Sequence, residues 1–97
     1  MDAEIKKLMC SEIRELCEKI LTELKEDKTL IEIVHKTEEK NYKGMIASDF
    51  NAMIQPMLSE KPRLQKFYQD NALDIESIFN EFKQNFTLYA LNQKPYR

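Results

Sequence analysis

The sequence has few of the residues that break helices and turn chains. It contains one glycine and three prolines among 97 residues, and no tryptophan. A β-sandwich or barrel needs turn residues between many short strands, so this scarcity disfavours both folds. Leucine, isoleucine, glutamate and lysine are abundant instead. We therefore predict an all-α fold, a small antiparallel bundle of four to five helices forming one domain over residues 1–97.

Long apolar runs are also missing. The longest run has four residues, Leu88 to Leu91, whereas a membrane-spanning helix needs roughly 20. The first residues carry acidic side chains and no apolar segment typical of a signal peptide. We therefore expect a cytoplasmic protein with no membrane partner. Its two cysteines, Cys10 and Cys17, are expected to be free thiols, because two helical turns separate their Cα atoms by about 10 Å, too far for a disulfide.

Signatures of catalysis and of metal or cofactor binding are missing as well. His35 is the only histidine, and Glu32 precedes it by three residues. Metal sites in helical bundles use this Glu-x-x-His spacing twice, on facing helices, and the sequence offers it once. A general base also needs an oriented neighbour, and the residues around His35 look like a solvated helix face. We therefore predict no catalytic residue, no metal ligand and no cofactor.

The first forty residues have two interpretations. Apolar residues at helical spacing predict a helix over Ala3–Lys25, capped by Asp2. Charged residues then interrupt the pattern, and Thr29 begins a capping-box pattern, which predicts a second helix from Thr29 to about Glu39. The alternative is one uninterrupted helix over residues 3–40, which would favour a coiled-coil dimer.

The middle of the chain is divided by its glycine and prolines. Gly44 is expected at a positive φ angle, at a helix end or a tight turn. A third helix then begins near Ser48. Pro56 is expected to kink this helix or to end it near Gln55, because proline lacks the N–H and clashes with the preceding turn. Pro62 fits the first turn of a short fourth helix.

The last helix is expected to contribute most to the core. We predict Asp74 as its N-cap, a hydrophobic staple between Leu73 and Ile78, and an end near Ala90, followed by a flexible tail over residues 91–97. Four aromatic rings share one face of this helix: Phe79, Phe82, Phe86 and Tyr89. The complete predicted core is Ile13, Leu16, Ile20, Leu24, Ile31, Val34, Phe50, Ile54, Leu64, Phe67, Ile78, Phe79, Phe82 and Phe86.

Function is predicted by elimination. Apolar helical stripes without a chemical motif favour a non-enzymatic protein that binds another protein, as an inhibitor, immunity-type protein, adaptor or regulator. A homodimer is the alternative partner arrangement. Methionine is common on adaptable binding surfaces, and the apolar residues at the end of the last helix spread beyond one face. The predicted partner-binding residues are accordingly Met53, Met57, Phe86, Tyr89 and Leu91.

The alternative function is a small nucleic-acid-associated regulator. Lys61, Arg63 and Lys66 lie close together, beside Phe67 and Tyr68, and aromatic rings among basic residues can stack on bases. The net charge of −2 provides no overall basic field. Nucleic acid is therefore the less favoured partner.

Overall fold

A computed structural model describes residues Asp2–Lys94. This part of the chain forms five α-helices and no strand, which confirms the predicted all-α bundle. The five helices are α1 (Ala3–Lys25), α2 (Lys28–Lys36), α3 (Glu39–Ser59), α4 (Pro62–Asp70) and α5 (Ala72–Leu91). No helix within these residues is both long and apolar enough to cross a membrane.

The three long helices lie side by side in up-down-up order. At one end of the α1–α5 pair, Lys6 Nζ lies 3.0 Å from the Asp74 carboxylate. At the other end, Lys25 Nζ lies 5.0 Å from the centre of the Tyr89 ring. Residue numbers rise together along both helices, so α1 and α5 run parallel.

Helix α3 runs in the opposite direction to α5. The Phe50 and Phe79 rings are 5.4 Å apart in the middle of the pair, while Tyr42, near the start of α3, borders the same groove as Leu91 at the end of α5. The N-terminal half of α3 therefore lies beside the C-terminal half of α5.

The two short helices cover opposite ends of this three-helix unit. Each contacts all three long helices, and within the described residues α2 and α4 do not contact each other. His35 of α2 donates a hydrogen bond from Nε2 to the Ala90 carbonyl at the end of α5, at 2.8 Å. The Tyr68 hydroxyl of α4 donates to the Glu76 carboxylate near the start of α5, at 2.6 Å. The molecule is accordingly elongated, measuring 50 × 21 × 18 Å.

The core follows the predicted apolar stripes. Every residue of the predicted core is buried. Three of the α5 rings are among them, with Phe79 and Phe86 fully buried and Phe82 exposed by 4%. Aromatic rings bury more apolar area than other side chains, so α5 contributes much of the core, as the sequence predicts. Tyr89 is half-buried and packs at the margin of the core.

The hairpin at the start of the chain is confirmed, but its predicted cap is wrong. Helix α1 ends at Lys25 and α2 begins at Lys28. The residue between them that caps α2 is Asp27, whose Oδ1 accepts a hydrogen bond from the Leu30 N–H at 3.0 Å. Thr29 lies inside the helix. A carboxylate that accepts a hydrogen bond from the N–H three residues later is an N-cap in its own right. A capping box is therefore not needed.

The predicted break at Gly44 is also wrong. Helix α3 begins at Glu39 rather than near Ser48, and Gly44 lies in its interior without a positive φ angle. A glycine inside a helix costs about 1 kcal/mol relative to alanine. Tyr42 and Ile46, on either side, are buried, and burying one large apolar side chain contributes about 1.5–3 kcal/mol. The burial outweighs the cost of the glycine.

Burial of apolar side chains also explains why α3 continues beyond Pro56. The helix ends at Ser59 rather than near Gln55, with Pro56 in its last turns. Ile54 and Leu58, which flank the proline, are both fully buried. Their burial offsets the backbone hydrogen bond that proline cannot make.

At the following junction one prediction is confirmed and one is wrong. Pro62 occupies the first turn of α4, as expected. Asp74, however, is not the N-cap of α5, which begins at Ala72 directly after the cap residue Asn71. Leu73 is 89% exposed, so the hydrophobic staple is absent, and Asp74 instead pairs with Lys6 of α1.

The far end of α5 lies close to its predicted position. The helix ends at Leu91 and is followed by Asn92, whose N–H donates to the Leu88 and Tyr89 carbonyls. Residues 95–97 of the predicted tail lie outside the described residues.

Candidate functional site

Exposed apolar side chains fall mainly at two places on the surface. One is the start of α1 and of α5, and the other is the α3–α5 pair at the opposite end of the molecule. Within the described residues, the large apolar side chains that are exposed are Ile5, Leu8, Met45, Leu73, Leu88 and Leu91. Single exposed apolar residues are ordinary, whereas a cluster beside a concave surface marks a candidate binding site.

The α3–α5 pair borders an open cleft with a volume of about 470 Å³. Tyr42 and Ile46 of α3 line it and are themselves largely buried. Leu88 and Leu91 of α5 line it from the other side and are 57% and 48% exposed. This combination of a buried apolar floor and exposed leucines is typical of grooves that receive an apolar ligand or helix. We refer to this cleft as the α3–α5 groove.

Helical spacing places these leucines beside the groove. Phe82, Phe86 and Ala90 of α5 recur every four residues and are buried in the core. Leu88 and Leu91, three residues apart, fall on an adjacent face of the same helix. The first turns of α3 supply the opposite wall, because α3 runs antiparallel to α5 from Glu39 onwards.

Charged side chains border the groove unevenly. On the α3 side, Lys43 and Glu39 form an ion pair one helical turn apart. Their hydrogen bond lowers the pKa of Glu39 and raises the pKa of Lys43. On the α5 side, Lys83 is half-buried, and its ammonium lies 5.4 Å from the centre of the Phe50 ring. No carboxylate of residues 2–94 lies within 4.0 Å of it, so the groove carries one positive charge without a direct anionic partner.

The residues predicted to bind a partner are not all in one place. Leu91 lines the α3–α5 groove. Phe86 is fully buried, so its ring offers no surface to a partner in this conformation. Tyr89 is half-buried under the Lys25 ammonium, and the half-buried Met53 and Met57 pack against the core from α3.

Sequence reasoning missed the α3 side of the groove. Tyr42 and Ile46 stand four residues apart, which is a helical signal, but Gly44 between them suggested a break. The exposed Leu88 could be found from sequence, because it extends the apolar residues of α5 beyond one core face. Whether neighbouring helices cover such a residue depends on tertiary packing.

The second cleft lies between the start of α1 and α4, with a volume of about 370 Å³. Ile5 and Met9 line one side, and Arg63, Lys66 and Asp70 line the other. The Lys66 ammonium lies 3.3 Å from the Asp70 carboxylate, which reduces the local positive charge. This cleft is smaller than the α3–α5 groove, and the cationic side chains of Arg63 and Lys66 lie at its edge.

The basic residues of the nucleic-acid alternative occupy this end of the molecule. Lys61 is exposed just before α4, and Arg63 is exposed in its first turn. The neighbouring rings are not available for stacking on bases. Phe67 is 2% exposed, and Tyr68 is half-buried with its hydroxyl hydrogen-bonded to Glu76.

The histidine and the cysteines occupy structural positions. His35 Nε2 donates to the Ala90 carbonyl, which fixes the end of α2 against the end of α5. Cys17 is fully buried, and burial raises the pKa of its thiol to about 12. Cys10 is half-buried, and both thiols are free. Within residues 2–94 no three potential ligands are grouped closely enough to hold a metal ion.

Comparisons with known protein families, with curated proteins and with solved structures found no match to this chain.

Proposed function

We propose that this protein is a non-enzymatic binding module, an inhibitor, adaptor or regulator, that receives a helical segment of another protein in the α3–α5 groove. The observation that carries the proposal is the pair Leu88 and Leu91, exposed by 57% and 48% beside an apolar floor. Two leucines three residues apart present the spacing with which apolar residues of a second helix pack. A helix laid into a groove is a common form of peptide recognition.

The expected contribution of the two leucines is large enough to measure. Complete burial of one leucine is worth about 1.5–3 kcal/mol, and roughly half of each side chain remains to be covered. Covering both therefore contributes about 1.5–3 kcal/mol. That corresponds to a roughly 10- to 150-fold change in Kd.

The test is affinity capture from native lysate with matched variants. Leu88→Glu/Leu91→Glu places two charges in the groove, and we expect the captured partner to disappear. Leu73→Glu is the matched control, because Leu73 is 89% exposed and lies at the opposite end of α5. We expect this control to capture as the wild type does. Equal capture by the double variant, with its circular dichroism unchanged, would refute the proposal.

We further propose a cytoplasmic location, which is supported by two free thiols in a chain of this size. The nucleic-acid alternative is the weaker proposal. Lys66 forms an ion pair with Asp70. The adjacent ring of Phe67 is buried, and that of Tyr68 is half-buried. Retention on heparin that falls steeply as salt rises would favour phosphate contacts through Lys61 and Arg63.

A further inference from the structure

We infer that the partner segment is an amphipathic helix that carries a carboxylate about two turns away from a pair of apolar residues. This inference rests on the proposed function, since it names the chemistry of the segment that the α3–α5 groove receives. It follows from the way in which apolar surface and charge are separated along the groove.

The two ends of the groove differ in chemistry. The C-terminal end of its α5 wall carries Leu88 and Leu91, whereas the N-terminal end carries Asn80, Lys83 and Gln84. Lys83 precedes Leu91 by eight residues, which is about 12 Å along a helix. A helical ligand lying along α5 would therefore place its apolar pair and its charged residue about two turns apart.

The cation at the polar end is held in place. Lys83 is half-buried, and its ammonium lies over the ring of Phe50, which is 1% exposed. A cation positioned over an aromatic ring loses less conformational freedom when it binds an anion than a freely moving lysine does. The other two charges of the groove, Glu39 and Lys43, already neutralise each other. A carboxylate is thus the group that complements the remaining positive charge.

A second copy of this chain is the rival occupant. Its α1 exposes Ile5 and Leu8, followed by the exposed Glu12 and Glu15, which is the same pattern of apolar pair and carboxylate. Helix α1 packs on α3 and α5 but contributes no residue to the groove, so it lies on the other side of that pair. Insertion of α1 into the groove of another copy would be head-to-tail and would not close into a dimer. A separate partner is therefore the better occupant.

The experiment is a selection from a displayed library of helical peptides against the full-length protein. Against the wild type we expect enrichment of two large apolar residues three or four apart, with aspartate or glutamate seven or eight positions away. The selected peptides should bind Lys83→Glu about tenfold more weakly, and selection against this variant should enrich lysine or arginine at the acidic position. Lys83→Gln keeps most of the side-chain stem but removes its charge. Peptides selected against this variant should show neither an acidic nor a basic preference at that position.

A control variant distinguishes the effect of a charge in the groove from the effect of the net charge of the protein. Lys19 is exposed on α1, and Lys19→Glu changes the net charge by the same amount. We expect this variant to bind the selected peptides within about twofold of the wild type, because α1 contributes no residue to the groove and exposed charges are screened by salt. Equal weakening by Lys19→Glu and Lys83→Glu would overturn the role of Lys83.

Failure of this inference and failure of the proposed function give different results. Peptides that require Leu88 and Leu91 but show no acidic preference would overturn the inference and leave the proposed function standing. Peptides that bind Leu88→Glu/Leu91→Glu as tightly as the wild type would count against the proposed function itself. Light scattering that finds concentration-dependent association of the wild type, abolished in the double variant, would assign the groove to a second copy and overturn the inference.

Discussion

Replacement of Gly44 by alanine should stabilise the protein. Gly44 lies inside α3 without a positive φ angle, and a Cβ atom added there would meet no heavy atom within 4 Å. Alanine therefore gains helix propensity and restricts the unfolded chain without a steric cost. We expect the free energy of unfolding to rise by about 0.5–1 kcal/mol. For a domain of this size Tm should then rise by about 2–8 °C.

The assay is urea unfolding followed by far-ultraviolet circular dichroism, with the midpoints compared at equal m-value. Ala52→Gly is the matched control, because Ala52 is exposed in the same helix. It should lose about 0.5–1 kcal/mol. If Ala52→Gly behaves in this way but Gly44→Ala destabilises the protein, then the backbone at residue 44 is not helical. Helix α3 would then begin later, and the α3 wall of the groove would not form as described.

Three further predictions concern the core, a cap and a tyrosine. Phe86→Ala should reduce the free energy of unfolding by about 3–5 kcal/mol and Leu88→Ala by under about 0.5 kcal/mol, measured by urea unfolding; similar losses would contradict their assigned burial. Asp27→Ala should cost about 1 kcal/mol in the same assay, and no loss would mean that Asp27 does not cap α2. The pKa of Tyr68 is raised from 10.0 to about 12, first by its hydrogen bond to Glu76 and then by burial. The pKa of Tyr68 is higher in the folded than in the unfolded protein. The stability that its protonated hydroxyl contributes is therefore complete below pH 10 and is lost as pH rises towards 12. The stability difference between wild type and Tyr68→Phe should therefore shrink over that interval, and a constant difference would exclude the linkage.

Helical periodicity predicts most of the core but not all of it, since Tyr42 and Ile46 are also buried. Ile13 of α1, Ile54 of α3 and Phe79 of α5 each belong to the apolar stripe of their own helix, and each is fully buried. The period of such a stripe is set by the geometry of the helix itself, so it can be recognised without knowledge of the neighbouring helices. The hairpin between α1 and α2 was predicted for the same reason, since charged residues interrupt the stripe there.

Helix boundaries were less predictable, because local signals compete with burial. An interior glycine such as Gly44 costs about 1 kcal/mol and an interior proline such as Pro56 about 3 kcal/mol, and the buried residues around them outweigh these costs. At Asp74 the side chain resembles an N-cap, but α5 begins earlier and the carboxylate pairs with Lys6 instead. A cap and a first-turn acidic residue have similar sequence patterns, because both complement the positive end of a helix.

The α3–α5 groove could not be predicted from helical periodicity. An apolar stripe does not reveal which of its members a neighbouring helix covers. Ile5 belongs to the same stripe of α1 as the core residues but is 49% exposed. Leu88 and Leu91 remain exposed because, within residues 2–94, only α3 and α5 contribute side chains to the groove beside them. Only the antiparallel placement of α3 against α5 brings Tyr42 near Leu91.

The most direct test of the α3–α5 groove as the binding surface is to map it by nuclear magnetic resonance. Isotope-labelled protein would be titrated with the captured partner or with a selected peptide, and its amide chemical shifts followed residue by residue. We expect the shifts to change in residues 39–47 of α3 and residues 80–91 of α5, and we expect both sets of changes to be lost in Leu88→Glu/Leu91→Glu. Changes centred instead on the start of α1 and on α4 would place binding at the second cleft and exclude the α3–α5 groove as the binding surface.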